Sequence, residues 1–145
     1  MLYQFNEVKL MELDLTPFSN ALNKLVEGLT RYHSDISDEQ VRDGLIQRFE
    51  FTYELSHKMI RRYLSQSSAN PESINELSFQ ALIRLASDKG IIKGDWSDWS
   101  TYREMRGKTS HTYDENIAIQ VVNGIPAFIE EIIHLKEELL QRCQS

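Results

Sequence analysis

The residues best suited to chemistry lie in one short run, Arg103-Glu104-Met105-Arg106-Gly107-Lys108-Thr109-Ser110-His111-Thr112-Tyr113. It gathers three cations, one histidine and one tyrosine within 11 residues. Thr112-Tyr113-Asp114-Glu115 has the spacing of a capping box, so a helix should begin with Thr112 as its N-cap and Tyr113 as its first residue. His111 would then stand directly before a positive helix end. That position disfavours imidazolium and leaves a neutral imidazole able to serve as a general base. The same helix end, flanked by Arg106 and Lys108, offers amides and a guanidinium to an anion, and it suits a phosphate better than a carbonyl. A polar loop with a left-handed C-cap at Gly107 and a capping box would carry the same residues with no function at all.

Other polar groups give weaker signals. His33, His57, His111 and His134 lack partners at ligand spacing, so no metal site is expected. His57 and His134 should lie on helix surfaces. Glu50 and Glu54 share a helix face, and a solvated face explains them most simply. Cys143 is the single cysteine, which excludes an intrachain disulfide and points to a reducing, cytoplasmic compartment. Trp96 and Trp99 read as core or interface. There is no glycine-rich phosphate loop.

The elements that must position the run read as helices. Thr16-Pro17 is a helix start, and Phe18, Ala21, Leu22, Leu25, Val26 and Leu29 follow at helical spacing to about His33. A second helix, from the Ser37-Asp38-Glu39-Gln40 box to about Ser65, has apolar residues over half its circumference. It must therefore touch several neighbours. Phe51 lies among its charges and is an interface candidate. A third helix should start at the Ser73-Ile74-Asn75-Glu76 box and stop near Gly90. A fourth runs from Asp95 to Arg106, and a fifth follows Thr112 with Pro126 as an expected kink. Residues 1–15 show no clear period and form an unassigned N-terminal extension. Residues 16–145 make one domain, an all-α antiparallel up-and-down bundle of four main helices plus a short fifth.

A chain of 145 residues is long enough to bury about 68–70% of its unfolded surface, so no metal or disulfide is needed for stability. The net charge of −6 argues against a broad electrostatic grip on nucleic acid, while leaving room for a small local basic site. The N-terminus lacks the basic start and apolar stretch of a secretory signal. No apolar run approaches the roughly 20 residues that span a bilayer, and no membrane partner is expected.

Arg106, four residues, then His111-Thr112-Tyr113 matches the R-x4-H-x-Y motif of HepT-type toxins of the HEPN superfamily. Gln47-Arg48-Phe49-Glu50-Phe51-Thr52-Tyr53-Glu54-Leu55 and Thr109-Ser110-His111-Thr112-Tyr113-Asp114 also resemble family signatures. Over roughly residues 14–142 the chain resembles the nucleotidyltransferase substrate-binding protein family. The resemblance implies a HEPN-like helical bundle that forms a homodimer. It also implies a partner, a minimal nucleotidyltransferase of the DNA polymerase β type encoded nearby, and leaves a heterotetramer with that partner open. It implies Arg106 and His111 as catalytic residues of metal-independent RNA cleavage, with no cofactor, and Tyr113 as the tyrosine that the partner modifies with AMP. Arg103, Arg106 and Lys108 are the candidate nucleotide- and phosphate-binding cations. Where the family usually has Asn or another polar residue after the arginine, this chain has Gly107, which should keep the turn and delete a polar side chain. Three functions stay open: a toxin–antitoxin type endoribonuclease, a non-catalytic nucleotide- or substrate-binding subunit of the nucleotidyltransferase, and a purely structural bundle.

Overall fold

A computed structural model describes residues 13–144. The first twelve residues of the expected N-terminal extension, and residue 145, lie outside the described part. The described chain is helical, with no strand: α1 (Thr16–Ser34), α2 (Glu39–Gln66), α3 (Pro71–Asn75), α4 (Phe79–Asp88), α5 (Trp96–Lys108), a 3₁₀ turn (Thr109–His111) and α6 (Glu115–Gln144).

Cross-helix contacts fix the directions. Arg48 Nη1 donates to Lys24 O at 2.6 Å, and Thr52 Oγ1 to Ala21 O at 3.4 Å, so α1 and α2 are antiparallel. Tyr102 Oη donates to Ala127 O at 3.5 Å and Trp99 Nε1 to Glu131 Oε1 at 2.7 Å, so α5 and α6 are antiparallel as well. Arg42 pairs with Glu115, and Phe49 meets Phe128 edge-on at 4.9 Å, so α2 and α6 run the same way, as the second and fourth helices of an up-and-down bundle must. The half-apolar α2 touches each of the other helices, burying Leu45, Phe49, Tyr53, Ile60 and Leu64. Phe18, Leu25, Trp99, Phe128 and Ile132 complete the core. Gly124 lets α5 and α6 close up, because a Cβ there would lie 2.5 Å from Met105 Sδ.

Several local expectations shift. Leu15 flanks α1, and Thr16 is its first helical residue rather than its cap. Asp38, not Ser37, caps α2, its Oδ1 accepting from Gln40 N and Val41 N, each at 3.1 Å. Asp114, not Thr112, caps α6, accepting from Asn116 N at 3.0 Å. In both cases a carboxylate prevails over a nearby hydroxyl, because it adds charge at the positive helix end to the same hydrogen bond. The single helix expected from Ser73 is two: α3 ends at Asn75, and Ser78 Oγ caps α4 from Ala81 N at 3.2 Å. Gly90, at φ +75°, ends α4 in a left-handed turn, with Ile91 N bonded to Ala86 O and Gly90 N to Ser87 O. Gly107 is not such a terminus. It is helical, and α5 passes through it. Helix α6 contains Pro126, where the sequence places it. It is also as long and apolar as a membrane-crossing segment, contrary to expectation. The fully buried Val121, Ile125, Phe128, Ile132, Leu135 and Leu139 on its inner face account for that composition.

Candidate active site at the α5–α6 junction

The junction lies along α2, from Glu54 near Arg106 to Arg42, whose Nη1 reaches Glu115 Oε1 at 3.5 Å. Arg106 leaves the last turn of α5 toward α2. Its Nε donates to Glu54 Oε1 at 2.8 Å, its Nη1 lies 3.6 Å from Glu50 Oε2, and Nη1 also donates to Thr109 Oγ1 at 3.0 Å. Thr109 is buried, and its hydroxyl donates in turn to Arg106 O at 2.7 Å. The guanidinium is thus held on two sides while about a third of the side chain stays open to solvent.

Glu50 and Glu54, expected to be merely solvated, are the groups that orient Arg106. Their place on one face of α2 was legible, but their partner, 52 residues beyond Glu54 along the chain, was not. Beneath them, burial is the main cause that pushes the Tyr53 phenol up to about 12, against the opposing pull of Arg103 and Arg106. Tyr53 therefore stays protonated and is no candidate base.

Beyond Thr109 the chain makes the 3₁₀ turn, and His111 O accepts from Asp114 N at 3.1 Å. His111 is exposed, and its ring stands 6.1 Å, edge-on, from that of Tyr113. Tyr113 is 87% exposed. With the cap moved to Asp114, His111 no longer abuts the helix end. The imidazole instead stands free in solvent on a turn whose backbone is tied at both ends.

The three candidate cations point in different directions. Arg103 lies with its Cζ 5.6 Å from the centre of the Phe79 ring, toward α4. Lys108 Nζ turns to Glu104 Oε1 at 3.4 Å and to Gln120 Oε1 at 3.2 Å on α6. Of the three, Arg106 is the one whose guanidinium bonds to the turn that leads to His111 and Tyr113, through Thr109 Oγ1. Among the described residues no group of three or more His, Cys, Asp or Glu side chains is placed to hold a metal. What the geometry supplies is an oriented guanidinium, an accessible imidazole and an accessible phenol in sequence around one turn.

The model of the family described as nucleotidyltransferase substrate binding protein like matches residues 13–141, which takes in the whole junction and all the helices but the last three residues of α6. The chain belongs to this family. A relative from Haemophilus influenzae, described as a probable ribonuclease HepT, is 46% identical over 101 residues, which are 70% of this chain and 68% of the relative. A solved Haemophilus influenzae structure, described as revealing the fold of a substrate-binding domain of a nucleotidyltransferase, superposes with a TM-score of 0.81 at 37% identity. It covers 87% of this chain and 98% of that one. The family's helical bundle is therefore the fold found here, and the chain is HepT-like in sequence.

Proposed function

We propose that this chain is the partner subunit of a minimal, DNA polymerase β-like nucleotidyltransferase, that it cleaves RNA through Arg106 and His111, and that its partner attaches AMP to Tyr113. The observation that carries the reading is the arrangement of Arg106. Glu54 and Thr109 fix its guanidinium at the head of a turn that presents His111 and Tyr113 to solvent. Similarity to a probable ribonuclease HepT supports it.

In this mechanism a ribose 2′-oxygen attacks the adjacent phosphorus and the bond to the 5′-oxygen breaks, giving a 2′,3′-cyclic phosphate and a 5′-hydroxyl that takes its proton from water. His111 takes the proton of the 2′-hydroxyl. Arg106 stabilises the negative charge that grows on the phosphoryl oxygens, and it does so with little reorganisation because it is already held. The net charge of −6 leaves few cations for phosphate contacts, which favours a short single-stranded segment over a duplex. We place the chain in the cytoplasm as a homodimer. Phe51, 58% exposed beside Gly44 and Ala21 on the α1–α2 face, supports the dimer.

One observation favours a second reading, a subunit that binds nucleotide without cleaving. Gly107 puts no polar side chain on the last turn of α5, directly after Arg106. Incubation of the purified chain with single-stranded RNA separates the two. Cleavage should fall by about 10²–10⁴ in His111→Ala and Arg106→Ala. A wild type that binds nucleotide but leaves RNA intact would establish the second reading instead.

A further inference from the structure

A second polar feature adjoins the Arg106 site. An open cleft of about 530 Å³ is lined by Glu54, His57, Lys58, Arg61, Arg62 and Ser65 of α2, with Gln66 and Asn75 closing it at the α3 end. Glu54 belongs to both places, since the carboxylate that holds Arg106 forms the near wall of the cleft. From Glu54 to Arg62 is eight residues of one helix, roughly 12 Å at a rise of 1.5 Å per residue.

The cleft is basic in a chain that is acidic as a whole, with three cations against one carboxylate. The cations divide by role. Arg61 is structural: its Nη1 donates to the carbonyls of Ile74, Asn75 and Leu77 at 2.9, 3.4 and 3.2 Å, satisfying the end of α3. Lys58 and Arg62 are exposed, and neither has a hydrogen bond or ion pair among the described residues.

His57 is the aromatic ring among the lining side chains, and Phe79 backs it. The His57 ring, half-buried rather than on the helix surface, meets Phe79 edge-on at 4.6 Å, and Trp96 lies 5.9 Å beyond. Burial first, and then the Arg61 guanidinium, hold His57 below the usual imidazole range. Its Nε2 accordingly accepts from Arg61 Nη2 at 3.3 Å. The ring is therefore a fixed, uncharged plane beside two unpaired cations, the combination that single-stranded nucleic acid uses: charge for the backbone and a flat face for a base.

We infer that this cleft is an RNA subsite, in which Lys58 and Arg62 hold the backbone of the strand leaving the Arg106–His111 turn and His57 offers its ring to a base. The inference rests on the RNA reading of that turn. It gives an acidic protein a local route for a strand, and it places the cleaved phosphate at one end of a track along α2.

The test uses the full chain and a short labelled single-stranded oligonucleotide, 2′-O-methylated throughout so that it cannot be cleaved. Anisotropy titrations over a range of salt compare the wild type with Lys58→Glu/Arg62→Glu and with the neutral Lys58→Gln/Arg62→Gln. Both positions are exposed, so the variants keep the fold, and circular dichroism checks this. The neutral pair should weaken binding on the order of tenfold and reduce the salt slope by about 1.4, two phosphate contacts' worth on a single strand. The charge reversal should weaken it further. Unchanged affinity and slope in both variants, with a wild type that binds, overturn the subsite and leave the function proposed for Arg106 and His111 standing. A wild type that neither binds nor cleaves RNA overturns both. Unchanged RNA affinity with loss of a co-purifying nucleotidyltransferase makes the cleft a protein-docking surface and likewise overturns the RNA assignment.

Discussion

Arg106 Nε donates to Glu54 Oε1 at 2.8 Å, and this contact joins the last turn of α5 to the middle of α2. Both side chains are between a third and a half exposed, a setting in which an ion pair contributes only about 0.2–1 kcal/mol. Stability is therefore a poor account of it, and orientation of the guanidinium is the better one. Glu54→Ala should lower stability by less than about 1 kcal/mol and should bind RNA at least as well, since a carboxylate leaves the basic track. Cleavage should nevertheless slow by roughly tenfold, as a freed arginine loses the preorganisation on which charge stabilisation depends. Glu54→Gln, whose amide oxygen can still accept from Nε, should recover part of it. Equal turnover in the Ala variant and the wild type would show that the pair positions nothing.

The apolar core and the partner of Glu54 mark what sequence patterning can and cannot reach. The apolar stripes named the core, and the run from Arg103 to Tyr113 named the junction, because both are local. The caps at Asp38 and Asp114 were missed by one or two residues, because serine or threonine stood within a turn of an aspartate that binds the helix end better. The partner of Glu54, the break between Asn75 and Ser78, and the roles of Glu131 and His57 depend on contacts between distant elements. No spacing rule reports those.

Glu131 is 3% exposed on α6, where a carboxylate would be costly without partners. It has them: Trp99 Nε1 donates at 2.7 Å, Lys93 N at 3.2 Å and Gly94 N at 3.0 Å. These bonds anchor the loop between α4 and α5, and so set where α5 begins. Glu131→Ala leaves the buried Trp99 indole N–H unmet, at about 1–3 kcal/mol, and removes the acceptor of two part-buried amides, so it should cost on the order of 3 kcal/mol in chemical denaturation. A loss below about 1 kcal/mol would mean that water replaces the carboxylate freely.

Gly107 offers a test of the helical junction itself. A Cβ there meets nothing within 4 Å, and the backbone does not need positive φ. Alanine should therefore stabilise the chain by roughly 0.5–1 kcal/mol, the usual cost of glycine inside a helix. Had α5 ended at Gly107 in a left-handed turn, the same substitution would destabilise it. A lower denaturation midpoint for Gly107→Ala would restore that terminus.

His57 makes stability depend on pH in a definite direction. Burial and then Arg61 hold its folded value below that of the unfolded chain, with Glu54 opposing and Arg103 assisting. The unfolded chain thus takes up a proton near the ordinary value of about 6.5 while the folded chain does not. Nothing is lost above that value, and stability falls as the pH drops through it. Between about pH 7.5 and about pH 5.5 the wild type should lose more stability than His57→Gln, measured by urea denaturation. Parallel pH slopes for the two would show that the imidazole titrates freely.

Tyr113 carries the last prediction. It is neither the first residue of α6 nor part of the cap, since Asp114 has that role, so its ring is free of any structural duty. Its 87% exposure leaves the phenol open to an approaching enzyme, and its ring centre is 6.1 Å from that of His111. Transfer from ATP would form a bond between the phenolic oxygen and the α-phosphorus and release pyrophosphate. The attached nucleotide would be tethered directly beside the imidazole proposed as the base, and would deny it to a strand. Neutralisation of charge contributes less, because Arg106 and Lys108 are already paired with Glu54 and Glu104. With the cognate nucleotidyltransferase and ATP, intact mass spectrometry should show one AMP added to the wild type and none to Tyr113→Phe. The modified wild type should cleave RNA more slowly, while the Phe variant should stay active in the same mixture. An equal adduct on the Phe variant would move the acceptor elsewhere. An adduct on Tyr113 that leaves cleavage unchanged would separate the modification from the His111 site.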